Sequence, residues 1–71
     1  MRELKAGGRY RHFKGNEYTA LMVATHSETG EKLVIYRAEY GDGGIYARPY
    51  DMFLEDVEVD GKTVPRFLEI D

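Results

Sequence analysis

Residues 31–53, EKLVIYRAEYGDGGIYARPYDMF, restrict the fold more than any other part of the sequence. Residues 33–40 are apolar or aromatic at both sets of alternating positions, a pattern typical of a strand that is covered on both faces. The glycines of residues 41–44 predict a tight turn, and Pro49 ends the strand that follows. The sequence therefore predicts a central β-hairpin, followed by a single helical turn that begins with proline.

The register of this hairpin places the first candidate binding residues. With Asp42 and Gly43 at the tip of the turn, Arg37 lies opposite Arg48. Like charges that face each other destabilise a sheet, so the pair requires an acidic neighbour or an anionic ligand. Three further side chains complete a surface suited to a phosphate, a carboxylate or a nucleobase: Tyr46, Arg11 and His12. The alternatives are that Glu39 and a second carboxylate neutralise the arginines, or that both extend into water.

Turn residues divide the rest of the chain into short strands. Residues 10–13 and 17–25 flank the turn at 14–16, and a second turn follows at 27–30. We expect a three-residue loop there, pairing Ser27 with Glu31, although a two-residue loop would shift the register by one and reverse the strand faces. After the helical turn, residues 56–60 and 63–70 form strands around a turn at Asp60 and Gly61, with Pro65 at an edge position. Residues 1–8 read as a frayed lead-in or a short edge segment.

These elements predict an all-β fold. Five or six short antiparallel strands with one helical turn suggest a small barrel, and the late helical turn most resembles the Src-homology-3-like type. The whole chain, residues 1–71, is expected to form one domain. A chain of this length buries only about 60% of the surface that it exposes when unfolded, so the core must be thin.

Composition excludes several classes of protein. The chain has no cysteine, which excludes disulfides, a thiolate nucleophile and a thiolate zinc site. No apolar run approaches the ~20 residues of a membrane span, and the first residues lack the pattern of a signal peptide, so we expect a cytoplasmic protein without membrane contact. The net charge is −3, with five cations against one anion in residues 1–14 and seven anions against two cations in residues 51–71. This balance does not fit a non-specific nucleic-acid binder, although it permits a local anion site.

The sequence contains no residue set that requires catalysis. His12 and His26 do not have the spacing of a short zinc motif, and His26, Ser27 and Glu28 are neighbours whose side chains point apart in an extended chain or turn. No helix follows the glycines of residues 41–44 to bind a phosphate at its N-terminus. We therefore expect a protein that is not an enzyme and has neither a cofactor nor a bound metal.

Several short segments together resemble a known family. They are YRHFKG at 10–15, HSE at 26–28, YR at 36–37, GG at 43–44, RP at 48–49 and MF at 52–53. Across residues 10–67 the chain is similar to bacterial DUF family 1653, a small domain of unknown function. It differs at Met22, where the family often has glycine, and at residues 45–46, where leucine and tryptophan are frequent. The resemblance implies a free-standing bacterial cytoplasmic domain with no established activity. It also suggests that five residues share one surface: Arg11, His12, His26, Arg37 and Arg48.

Two functional hypotheses follow. The first is a binding module that takes an anionic or aromatic ligand, such as nucleic acid, a phosphate-bearing molecule or a peptide, on the face of Arg37, Tyr46 and Arg48. The second is an interaction module that forms a homodimer or a partner interface through an apolar sheet face. That face would comprise Leu21, Val23, Leu33 and Ile35.

Overall fold

The computed structural model of the protein describes residues 3–70. Within them the chain forms two antiparallel β-sheets and one short helix. The elements are, in chain order, β1 (Arg9–His12), β2 (Glu17–Thr25), β3 (Lys32–Ala38), β4 (Ile45–Pro49), α1 (Tyr50–Leu54), β5 (Asp56–Val59), β6 (Lys62–Pro65) and β7 (Phe67–Glu69). The all-β class and the helical turn after Pro49 are confirmed.

The larger sheet is open. Its strand order is β4-β3-β2-β1-β7, and among residues 3–70 no backbone pairing joins β4 to β7 to close the expected barrel. The strands that could have closed it, β5 and β6, pair only with each other. A tight turn joins these two strands directly, because Asp60 (φ 51°) and Gly61 (φ 78°) both adopt the left-handed conformation that such a turn requires. The expected strand over residues 63–70 is interrupted at Arg66, which separates β6 from β7.

Aromatic side chains fill the core on one face of the larger sheet. The rings of Phe53 and Phe67 are stacked, with centroids 4.0 Å apart and an interplanar angle of 4°. Tyr10 and Tyr36 each pack edge-on against Phe53 at 5.3 Å. Helix α1 supplies Phe53 to this core, whereas its neighbour Met52 is 42% exposed. Aromatic pairs in these orientations contribute about 0.5–1.5 kcal/mol each beyond the area that they bury.

The register of β3 and β4 differs from the sequence prediction. The Ala38 N–H donates to the Gly44 carbonyl at 2.9 Å, so a five-residue loop over 39–43, with left-handed Gly41 (φ 58°) and Gly43 (φ 69°), replaces the expected two-residue turn. Beyond the turn, Arg37 pairs with Ile45 and Arg48 pairs with Val34. The predicted pairing of Arg37 with Arg48 is therefore wrong. Because the shift is three residues, an odd number, the two arginines lie on opposite faces of the sheet.

The register of β2 and β3 also differs. The His26 N–H donates to the Glu31 carbonyl at 2.7 Å, which closes a four-residue loop over 27–30 in place of the expected pairing of Ser27 with Glu31. Gly30 has the left-handed φ of 77° that the turn requires. A β-bulge between Ala20 and Met22 then changes the register within β2. Such a bulge reverses which side chains point inward along the strand.

The segment before β1 is held against the sheet over its described length. The Gly7 N–H donates to the Ala20 carbonyl at 2.7 Å, and the Ala20 N–H donates to the Gly8 carbonyl at 3.0 Å. Leu4 packs against the core. Residues 1 and 2 of that lead-in lie outside the described residues. No helix within residues 3–70 is long and apolar enough to cross a membrane.

We expect Phe67→Ala to lower the free energy of unfolding by about 3–5 kcal/mol, because it leaves a cavity against Phe53. Phe67→Leu retains part of the apolar volume and should lie between the wild type and Phe67→Ala. Leu68→Ala is the control, since Leu68 is adjacent in sequence but 50% exposed. Urea unfolding of the variants measures the difference, and an equal loss in Phe67→Ala and Leu68→Ala would contradict this account of the core.

Candidate ligand-binding groove

Strand alternation sorts the candidate residues between the two faces of the larger sheet. In β1, Tyr10 is buried and His12 is half-buried, whereas Arg9 and Arg11 are exposed on the other side. We call the face that carries Tyr10 the inner face, because helix α1 packs on it. Strand β4 directs Arg48 to the inner face, opposite the buried Val34.

The arginines of the outer face are neutralised by carboxylates. Arg11 and Arg9 both form ion pairs with Glu17 at 3.0 Å. Arg37 forms an ion pair with Glu39 at 3.1 Å, which realises the alternative in which Glu39 neutralises it. Hydrogen bonds, chiefly from Arg11, lower the pKa of the Glu17 carboxyl. The pKa of Glu39 is likewise lowered, first by the hydrogen bond from the Thr19 hydroxyl and then by that from Arg37.

On the inner face, Arg48 lies against aromatic rings. Its Nε donates to the Tyr36 hydroxyl at 3.2 Å, and its Nη1 donates weakly to the Met52 Sδ at 3.8 Å. The guanidinium carbon is 5.5 Å from the centroid of the Phe67 ring, within the range of a cation–π contact. None of the ion pairs among residues 3–70 includes Arg48. This positive charge is therefore stabilised by rings and a hydroxyl instead of by a carboxylate.

His12 packs beside the same ring. Its centroid is 4.9 Å from that of Phe67, in an edge-on arrangement. Burial lowers the pKa of His12, and the positive charges of Arg48, Lys14 and Arg66 lower it further. The Nδ1 atom accepts the Lys14 N–H at 3.2 Å, so the neutral ring carries its proton on Nε2. His12 can thus donate a hydrogen bond to an anion at neutral pH.

His12 also lines a groove between the β5–β6 hairpin and the strands β1 and β7. The groove has a volume of about 470 Å³, which is within the range of small-molecule sites. Its lining is mainly apolar, with two cations, one carboxylate and the imidazole. The lining residues are Arg11, His12, Phe13, Gly15, Val59, Asp60, Lys62, Val64, Pro65 and Leu68. This concave surface therefore combines apolar contact with positive charge and a histidine whose pKa is shifted.

Tyr46 lies outside this groove. Its ring packs at 5.7 Å from that of Tyr36, and it also lies close to Gly44, where an added Cβ would come within 3.0 Å of the Tyr46 hydroxyl. The neighbouring Tyr18 and Tyr40 hydroxyls are 2.7 Å apart. Burial, followed by this hydrogen bond, raises the pKa of Tyr18 to about 12. The tyrosines therefore form a hydrogen-bonded margin of the core, with Tyr46 48% exposed at its edge.

His26 is remote from the other candidates. It follows β2, and its Nδ1 accepts the N–H groups of Glu28 and Thr29 at 3.1 and 3.4 Å, so it stabilises the turn. His12 and His26 lie near opposite ends of β2, whose nine residues span roughly 30 Å. Residues 3–70 contain no cluster of three metal-binding side chains. The candidates do not form the single surface that the resemblance suggested: His12 and Arg11 line the groove, Arg48 lies beside His12, and Arg37, Tyr46 and His26 lie elsewhere.

Sequence reasoning missed the groove residues after position 58. Leu68 lies at the groove because β7 pairs with β1, with His12 opposite Phe67, and Lys62 and Val64 line the same groove from β6. That pairing joins positions more than fifty residues apart, and no local pattern specifies it. One available signal is the alternation of Val57 and Val59 with acidic residues, which is typical of a strand with one apolar face.

Comparison with known proteins gives a family and a fold. The family described as "protein of unknown function (DUF1653)" matches residues 8–69. The structure is similar to the crystal structure of a DUF1653 protein from Bordetella bronchiseptica, with a TM-score of 0.86 and 33% sequence identity. That similarity covers 99% of this chain and 91% of the Bordetella chain. No curated protein matches the sequence.

We expect Arg48→Gln to raise the pKa of His12, because the substitution removes a positive charge that disfavours the protonated ring. Arg37→Gln removes the same charge on the opposite face and should leave the pKa of His12 unchanged. An NMR titration of the His12 ring protons measures both variants. An equal effect of the two substitutions would contradict the face assignment.

The lowered pKa of His12 also predicts how stability depends on pH. Unfolded His12 binds its proton near pH 6.5, whereas folded His12 does so only at lower pH. The contribution of His12 to the free energy of unfolding is therefore fully present above pH 6.5 and is lost as the pH falls through the pKa of folded His12. Urea unfolding between pH 7 and pH 5 should show this loss in the wild type and a smaller one in His12→Gln. Identical slopes for the two proteins would show that His12 is not the group responsible.

Proposed function

Because this chain belongs to the DUF1653 family of proteins of unknown function, its role has to be argued from its own surface, and we propose that it is a binding module without catalytic activity. Its ligand is a small organic anion with an apolar body, bound in the groove between the β5–β6 hairpin and strand β1. One observation carries the proposal. His12, a hydrogen-bond donor, lines a concave and mainly apolar groove and lies beside cationic side chains.

The apolar part of the groove supports the choice of ligand body. Five of the lining residues are apolar: Phe13, Val59, Val64, Pro65 and Leu68. Phe13 and Leu68 are 38% and 50% exposed, so both present apolar surface to the groove. A flexible apolar chain or a ring would bury both. Burial of this kind stabilises a complex by roughly 25 cal/mol per Å² of apolar area removed from water.

The charges around the groove support an anionic head group. Lys62 lines the groove, as does Arg11, which is paired with Glu17, and the positive charge of Lys14 acts on His12. Arg48 and Arg66 also act on His12, and Arg48 has no carboxylate partner within residues 3–70. A bound anion would reverse this repulsion and raise the pKa of His12. Nucleic acid is a weaker candidate, since the net charge of −3 opposes a polyanion.

The other predicted surface has less support. Leu21, Leu33 and Ile35 are half-buried, and Val23, which is 40% exposed, pairs with Val34 on the inner face, so the four residues proposed for a homodimer do not share one exposed face. We also propose that this chain is Src-homology-3-like. By this we mean an antiparallel sheet that binds its ligand at one margin.

The experiment uses octanesulfonate, an apolar chain with a charge that does not change with pH. In ¹H–¹⁵N spectra we expect it to shift the amides of residues 11–15 and 62–68. Octanol lacks the charge and methanesulfonate lacks the chain, so each should bind more weakly. Leu68→Glu should abolish binding, whereas Ile45→Glu introduces the same charge at an exposed apolar residue outside the groove and should not. Lys62→Gln should weaken binding by roughly two- to fivefold, as expected for a surface ion pair, with Lys32→Gln as the matched control.

The pH dependence of the same titration tests the role of His12. An anion favours the protonated imidazole, so the affinity for octanesulfonate should rise as pH falls through the pKa of His12. His12→Gln should bind with an affinity that does not depend on pH. Shifts that are absent, that lie outside the groove, or that are equal for octanol and octanesulfonate would overturn the proposal.

A further inference from the structure

Strand β4 forms an unprotected edge of the larger sheet. Among residues 3–70 it pairs only with β3, and Ile45 is 63% exposed. Natural edge strands are usually blocked by charged side chains, by proline, by bulges or by a covering segment. In β4, IYARP, the charged residue is Arg48, which points to the inner face, and the proline is the last residue. The segment from Ile45 to Ala47 therefore has neither a charge nor a proline, and β4 pairs with β3 without a bulge. The opposite edge, β7, has only three residues, and its Glu69 is paired with Lys5 at 3.7 Å.

The pattern of hydrogen bonds between β3 and β4 shows which backbone groups of β4 face outward. The Ala38 N–H donates to the Gly44 carbonyl at 2.9 Å, so Ala38 and Gly44 form a hydrogen-bonded pair. Such pairs alternate along an antiparallel ladder, so Tyr46 and Arg48 also direct their backbone groups toward β3. The N–H and C=O groups of Ile45 and Ala47 therefore point away from the sheet.

We propose that a second copy of this chain pairs with β4 in antiparallel orientation, related by a two-fold axis at Ala47. In this register the Ala47 N–H and C=O exchange two hydrogen bonds with those of the partner's Ala47. The Ile45 N–H donates to the carbonyl of the partner's Pro49, and the N–H of the partner's Ile45 donates to the carbonyl of Pro49. Proline has no N–H, but this arrangement requires only its carbonyl.

The side chains are complementary in the same register. Tyr46 lies opposite the partner's Arg48 in a non-hydrogen-bonded pair, where side chains approach most closely. Its ring is 48% exposed, and the guanidinium of Arg48 donates only to Tyr36 and Met52 among residues 3–70. Two symmetric cation–π contacts would therefore form on the inner face. On the outer face Ile45 packs against the partner's Pro49.

The interface is small, so the expected dimer is weak. Five-residue edges bury less than the ~1,200 Å² of a standard interface. The dimer should therefore be sought by sedimentation equilibrium over a wide range of protein concentration. Ala47→Lys places two like charges across the two-fold axis at an exposed position and should weaken dimerisation at least about tenfold. Ala6→Lys makes the same change at an exposed alanine outside β4 and should have no effect.

Hydrogen exchange identifies the surface independently of the variants. As protein concentration rises, the amides of Ile45 and Ala47 should become protected, whereas those of Tyr46 and Arg48 are already bonded to β3 and should not change. Thermal unfolding confirms that Ala47→Lys remains folded. A monomer at every concentration would overturn the proposal. So would a dimer that Ala47→Lys leaves intact, or protection that does not alternate along β4.

Discussion

The stack of Phe67 on Phe53 is the contact on which the arrangement of this protein depends. It joins the last strand, β7, which is an edge strand of the larger sheet, to the short helix α1, which is not part of that sheet. Tyr36, Tyr18 and His12 surround the rim of the Phe67 ring with centroids 4.9–5.6 Å away. A chain of 71 residues has little aliphatic core, so these rings provide the contact area that holds the open sheet in its curved form.

The position of Phe67 also determines the chemistry at the surface. With β7 held beside β1, Leu68 is brought to the margin of the groove that His12 lines. Arg48 reaches the Phe67 ring from β4 on the opposite edge of the sheet. Burial, and after it the charge of Arg48, lowers the pKa of His12. The groove and its electrostatics are thus consequences of core packing, and a change in the core would alter both.

Turn chemistry made part of this fold predictable from the sequence. Gly30, Gly61 and Pro49 each have one strong conformational preference, and the structure uses all three as expected. Registers were less predictable, because a glycine-rich segment permits several turns. Gly41 and Gly43 both adopt left-handed conformations, and the longer loop that contains them moved Arg37 and Arg48 to opposite faces.

The candidate site was less predictable than the fold for the same reason. Arg11 and His12 were identified as part of a basic and aromatic surface around Arg37 and Arg48, and both line the groove. Lys62 and Leu68 could not be found, since their proximity to His12 depends on a pairing between distant strands. Arg37 was misassigned because an error of an odd number of residues in register changes the face.

The most direct test of this account is a double-mutant cycle between Arg48 and Phe67, using Arg48→Met and Phe67→Leu. Arg48→Met removes the charge, Phe67→Leu removes the ring, and both retain apolar bulk. Urea unfolding gives the free energy of unfolding of each variant. The contact on the inner face predicts a coupling energy of about 0.5–2 kcal/mol. The same cycle with Arg37→Met, on the outer face, should be additive within ~0.5 kcal/mol. An additive cycle for Arg48, or an equal coupling for Arg37, would contradict the central claim that Arg48 packs on the aromatic core.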